Sequence, residues 1–162
     1  PRLIIPLIPV LSKLVDFAIA FVILFGLMAW YGISPTKNLI FLPVLILMMM
    51  LTASGIGMWL SAMAIQYRDI PHGVGFLSQM LMYAAPVVWP LSLLEDKFGE
   101  SVSLAYGIYP MVGVIEGFRS ALLGHNPMPW VLIGIGALSA IVLFISGALY
   151  FKSKERIFVD VA

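Results

Sequence analysis

The sequence predicts an all-α integral membrane protein with four transmembrane helices and short interfacial or re-entrant helices between the last two. Three observations predict it: 62% hydrophobic against 10% charged residues, four long uncharged runs, and a broken semi-apolar stretch ahead of the fourth run. Soluble domains carry charge on about a quarter of their residues. A soluble fold of 162 residues would need polar surface that this composition lacks, so the apolar excess must face lipid. Continuous runs, in place of short alternating ones, argue against an outer-membrane barrel.

The first run follows Lys13 and Asp16, which are spaced to pair on one helix face. Residues 17–33, FAIAFVILFGLMAWYGI, are uncharged. With Leu14 and Val15 they approach the roughly 20 residues needed to cross about 30 Å of hydrocarbon. SPTKN at 34–38 supplies a proline-containing turn. Residues 39–65 are uncharged and long enough for a tilted second span. A polar turn, with Arg68, Asp69 and His72, precedes the third run at 73–94, which carries Pro86 and Pro90 near its far end. The fourth begins at Met128 or Trp130, reaches Phe151 and is followed by KSKERIFVDVA. The chain opens on Pro1 with no recognisable signal peptide, which reads as a processed chain or a fragment, so four spans is a minimum.

An even number of spans places both ends on one side. That side holds Arg2, Lys13, Arg68, Lys152, Lys154 and Arg156, against Lys37, Lys97 and Arg119 on the other. The bias predicts that the termini and the Arg68/Asp69 turn are cytoplasmic. Trp30, Tyr31, Trp89, Tyr106, Tyr109 and Trp130 then gather mostly at the outer boundary, as an interfacial aromatic belt does.

The stretch between the third and fourth runs is too apolar for an ordinary outer loop. Residues 112–124, VGVIEGFRSALLG, set Glu116 and Arg119 three apart on one helical face and leave Val112, Ile115 and Leu122 to another. Pro110 and Gly124 mark the ends of a helix too short to cross. Backbone that turns within hydrocarbon must be shielded by protein or line a cavity. Residues 86–124 are therefore the candidate gate or lining element, with an amphipathic helix covering the outer ends of the spans as the alternative. Gly113 and Gly117 offer a close-packing face there, and Gly55, Gly57, Ser61 and Ala62 offer one in the second span.

Catalytic and metal-binding patterns are missing from the sequence. His72 and His125 fall on opposite predicted sides, cysteine is absent, and Met48, Met49 and Met50 read as lipid or core contacts. A net charge of +1 gives no argument for nucleic-acid binding. No acid or base lies deep in a span, which points to an energy source on another polypeptide.

Four stretches in order resemble the membrane subunit of ABC-2 type exporters, in the branch that exports O-antigen, capsular polysaccharide and teichoic acid. They are YRDIPH at 67–72, FLSQMLMYAAPVVWP at 76–90, YPMVGVIEGFRSALLG at 109–124 and RIFVDVA at the end. The resemblance covers nearly the whole of 1–162 and aligns it with the C-terminal two-thirds of such a subunit, its spans being the last four of six. It implies a bacterial inner-membrane, multi-pass permease with a cytoplasmic C-terminus. It further implies a homodimer working with two cytoplasmic ATPase subunits, which bind the ATP and magnesium, and a lipid-linked polysaccharide substrate. No cofactor is expected in this chain. Residues 92–127 would be the periplasmic gate-helix region.

On that resemblance Pro86 and Pro90 end the fifth family span, and Val112, Ile115, Glu116 and Arg119 belong to a gate element. Tyr83, Trp89, Tyr106 and Tyr109 are candidates for the substrate path, and Arg68 and Asp69 lie near the ATPase side. The family's usual Asn-Pro-Met is here Tyr109-Pro110-Met111, which keeps the proline break and replaces an amide with a phenol. A drug or lipid exporter of the same superfamily and a non-transporting membrane scaffold are the alternative functions.

Overall fold

The computed structural model describes residues 4–154; Pro1, Arg2, Arg156 and the RIFVDVA stretch lie outside the described residues. The helices in chain order are α1 (Ile4–Trp30), α2 (Leu42–Gln66), α3 (Ile70–Ala84), α4 (Ser92–Phe98), α5 (Glu100–Tyr106), α6 (Pro110–Leu123) and α7 (Trp130–Lys154). A short 3-10 helix, Lys37–Phe41, leads into α2. The chain is thus all-α among its described residues, and α1, the Lys37–Gln66 segment and α7 are long and apolar enough to cross a membrane.

The centre of the fold is the pair α2 and α7, which run parallel. Phe41 and Trp130 meet edge to face at one end, and Tyr150 donates a hydrogen bond to Gln66 Oε1 at the other. Two glycines let the backbones touch. A Cβ on Gly55 would lie 2.7 Å from the Leu143 carbonyl carbon, and one on Gly147 would lie 2.6 Å from the Gly55 carbonyl oxygen. Small residues serve this purpose where lipid gives no hydrophobic drive between helices. Gly57 takes no part, because open space surrounds it, whereas Ala62 is fully buried. Trp59 stacks on Tyr150 at 4.4 Å and donates from Nε1 to Ser146 Oγ, fixing the rotation of one helix against the other. Met48 is buried in the apolar cluster with Leu45, Val114 and Ile133, as a core residue.

Two spans differ from the expected boundaries. Helix α1 is already helical at Ile4, the first described residue, and passes unbroken through Lys13 and Asp16, which pair at 2.8 Å on its exposed side. The predicted third span at 73–94 divides. Helix α3 ends at Ala84 after 15 residues, a rise of about 22 Å and short of the roughly 30 Å hydrocarbon thickness. The cause is Pro86, which offers no N–H and disfavours helical backbone in the residue before it. Ala85 accordingly takes an extended conformation (φ −79°, ψ 146°). A turn at 86–91 then leads to α4, a separate helix.

Candidate functional site

Helix α6 is seated between the N-terminal halves of α2 and α7. Pro110 occupies its first turn, where a missing N–H costs nothing. A Cβ on Gly136 would meet both Pro110 Cα and Met48 Cε at 3.3 Å. Pro110 therefore lies level with Met48 and Gly136, about 9 Å along α2 and α7 from their first residues. From there the helix rises toward the α1–α2 connection. Gly113 and Gly117 permit the approach, since Cβ atoms on them would lie 2.7 Å from the Leu132 carbonyl oxygen and 2.9 Å from Leu45 Cδ2.

The upper end of α6 is closed by contacts from far along the chain. Thr36 donates from its backbone N–H and from Oγ1 to the Ala121 carbonyl, at 3.2 and 2.7 Å, and so satisfies an acceptor of the last turn. Gly124 ends the helix in the left-handed region (φ 68°), which glycine adopts without a Cβ penalty. A side chain there would also strike Thr36, whose Cγ2 lies 2.5 Å from the Cβ position.

Glu116 and Arg119 form a clasp across the break between α3 and α4. Arg119 donates to Glu116 and, from Nη2, to the Pro86 carbonyl oxygen at 2.9 Å. Glu116 Oε1 also accepts from the Leu91 backbone N–H at 3.4 Å. One ion pair on α6 thus holds both ends of the 86–91 turn. The Glu116 side chain is only 11% exposed, and burial pushes its carboxyl above the ordinary range. The Arg119 charge and the Leu91 N–H pull it back, while Glu95 adds to the rise.

The predicted aromatic residues do not form one surface. Trp89 stacks on Tyr106, ring centres 5.7 Å apart, and the Tyr106 hydroxyl is buried with no hydrogen-bond partner among the described residues. Tyr109 donates from its hydroxyl to the Leu81 carbonyl at 3.2 Å, tying the start of α6 to the last turn of α3. Burial raises the pKa of both phenols. Tyr83 projects from α3 and is exposed. Val112 is fully buried with Leu91 and Leu132, Ile115 is half-buried, and Pro90 is exposed where Pro86 is buried. Arg68 and Asp69 lie exposed in the α2–α3 turn at the opposite end of the molecule, where the Asp69 carbonyl accepts from the His72 and Gly73 N–H groups.

A cavity of about 630 Å³ opens beside the clasp, between the 91–95 segment, the second half of α6 and residues 125–129. Glu95, which sequence reasoning did not single out, is fixed at its rim by a 2.9 Å bond from Ser103 Oγ. Thr36, Leu91 and Ser103 were missed as well. Thr36 lies 85 positions from Ala121, and no local pattern encodes such a contact. Among the described residues no three His, Asp or Glu side chains gather as a metal site.

A profile described as ABC-2 type transporter matches residues 2–123. The chain is 26% identical over 157 residues to an O-antigen export system permease protein of Myxococcus xanthus, covering 96% of this chain and 60% of that protein. It is 20% identical over 162 residues to O-antigen export system permease proteins of Klebsiella pneumoniae, covering 99% of this chain and 61% of theirs. The chain spans about three-fifths of the length of these curated relatives.

Proposed function

The chain belongs to the ABC-2 type transporter family, whose membrane components are transport subunits and not enzymes, and from that premise we propose that it helps move lipid-linked polysaccharide outward. It acts within a homodimer driven by two cytoplasmic ATPase subunits, in a bacterial inner membrane. The similarity to O-antigen export permeases supports this cargo over a drug or a plain lipid.

The observation that carries the reading is the seating of α6. A plain bundle does not need a 14-residue helix that starts about 9 Å below the ends of its neighbours and climbs to the surface. A helix in that position can close a path or line it, because its backbone is shielded by α2 and α7. In this reading α3, extended by the 85–91 turn, is the third of four spans, and residues 92–127 form the periplasmic gate region. The α1–α2 connection and α6 then face the periplasm, and the α2–α3 turn with Arg68 and Asp69 faces the ATPase together with the C-terminus.

Mechanistically, α2 and α7 are joined through Gly55 and Gly147 and form the fixed wall. Motion of the cytoplasmic turn passes along α3 to its outer end. There the clasp and Tyr109 pull on α6, so closure of the ATPases repositions the gate. Trp89, Tyr106, Tyr109 and the exposed Tyr83 offer aromatic faces to sugar rings along the way.

The test is surface glycan in cells carrying the full-length subunit and its ATPase. Replacing the catalytic glutamate of the ATPase should abolish surface glycan; undiminished glycan would refute export by this subunit.

A further inference from the structure

The cavity beside the clasp has a lining whose chemistry narrows its occupant. At about 630 Å³ it lies within the roughly 300–1,000 Å³ of small-molecule sites. Leu91, Met128 and Leu132 give its lining apolar surface. Glu95, Glu116, Arg119 and His125 add polar and charged groups to it.

We infer that this cavity binds a short, neutral, hydroxyl-rich saccharide segment, an assignment that rests on the glycan-export reading and names where the glycan is held at the outer end. Three features carry it. The polar lining offers both donors and acceptors. Arg119 has five N–H donors and uses two groups on Glu116 and Pro86, while Glu95 Oε1 accepts from Ser103 and its second oxygen has no hydrogen-bond partner among the described residues. A sugar hydroxyl both donates and accepts, so it matches such a lining, and the C–H faces of the ring match the leucines and methionine.

Charge excludes the other ligand that a lipid-linked glycan could offer. Two carboxylates stand against one guanidinium, and that guanidinium is already paired with Glu116. A phosphate or diphosphate would meet net repulsion here. The carrier headgroup is therefore not the occupant.

The site is also fixed before a ligand arrives. Glu116, Arg119 and Glu95 are each held by a second residue, so little side-chain freedom is lost on binding. A neighbouring cavity of about 430 Å³ shares Glu95, Met128 and Leu132 and continues along α5, which gives a linear chain room for more than one ring.

The experiment uses the full-length subunit with its ATPase in lipid nanodiscs, labelled with 13C at methionine methyls, and follows the Met128 resonance, assigned by Met128→Leu. The probes are neutral trisaccharides of glucose, mannose and rhamnose, with inorganic phosphate and spermidine as controls. The expected result is a saturable Met128 shift with at least one trisaccharide and none with phosphate or spermidine. Glu95→Gln, nearly isosteric, should weaken it roughly tenfold or more, the scale of one charge-assisted hydrogen bond, and Leu123→Trp at the rim should abolish it. No shift with any trisaccharide, a shift with spermidine or phosphate alone, or a titration unchanged in both variants would overturn the assignment. Surface glycan in the same cells keeps the two ideas separate. Glycan that still depends on ATPase activity while the titration fails overturns the cavity and leaves export standing.

Discussion

The Arg119 guanidinium reaches 33 positions back along the chain to the carbonyl oxygen of Pro86, at 2.9 Å. Pro86 breaks α3 because it has no N–H to give. Arg119 turns that break into a fixed joint by capping a carbonyl at its start, and its partner Glu116 holds the Leu91 N–H at the joint's other end.

Removing the guanidinium should therefore loosen the joint more than it unfolds the bundle. Arg119→Ala leaves Glu116 mostly buried and without its cation, at a cost of about 2–3 kcal/mol for a charge-assisted contact. Arg119→Lys restores the charge but not the fork that reaches two acceptors, and should recover only part of the effect. Limited proteolysis within 86–91 reads this directly: faster cleavage there, with α2 and α7 still protected, is the expected outcome.

Glu116 gives the joint a pH dependence whose sign follows from burial. Its folded pKa lies above the ordinary value of 4.5, with desolvation outweighing Arg119 and the Leu91 N–H. Between 4.5 and the raised folded value, the folded chain holds a proton that the unfolded chain has released. Stability from this group is thus full below that window and is lost as pH rises through it. Glu116→Gln should flatten the fall in thermal midpoint as pH rises above the ordinary carboxylate value. An unchanged pH profile in Glu116→Gln would show that the carboxylate is solvated after all.

The close approach of α6 makes Gly113 intolerant in a way that Gly57 is not. A Cβ on Gly113 would lie 2.7 Å from the Leu132 carbonyl oxygen, a backbone atom that cannot swing aside. Gly113→Ala should cost about 1–3 kcal/mol by overpacking. Gly57→Ala enters open space within a helix and should be neutral or slightly stabilising, since glycine is the weaker helix former. Thermal unfolding of both variants in detergent compares them.

The tyrosine pair beside the break separates strut from passenger. Tyr109→Phe removes the bond to the Leu81 carbonyl and should cost about 1 kcal/mol, while increasing hydrogen exchange in the last turn of α3. Tyr106→Phe keeps the ring stacked on Trp89 and removes a buried hydroxyl that has no partner among the described residues. It should be neutral or stabilising.

Periodicity and proline placement made much of this legible. The apolar runs, the Lys13–Asp16 and Glu116–Arg119 pairs and the limits of α6 all depend on residues within a turn or two of each other. Composition and length also overstated the third span, because an uncharged run cannot show that Pro86 leaves α3 at 15 residues. What stayed hidden depends on distant partners. Nothing in SPTKN says that Thr36 will cap α6, nothing in SLLEDKF says that Glu95 will face a cavity, and Gly55 and Gly57 look alike until Leu143 lies against only one of them.

If α6 gates a path, holding it to α1 must stop transport. Phe118 on α6 meets Phe17 and Phe21 on α1, with ring centres 5.9 Å apart in both pairs. The sequence contains no cysteine, so a pair introduced at Phe21 and Phe118 is the only thiol pair in this chain. Joined by a short, reducible thiol crosslinker, the two helices cannot separate, whereas reduction restores their freedom. Export should fall with the crosslinked fraction and return on reduction, with either single cysteine unaffected. Full crosslinking with undiminished export would make α6 a static lining, because a helix that never leaves α1 cannot be the element that opens.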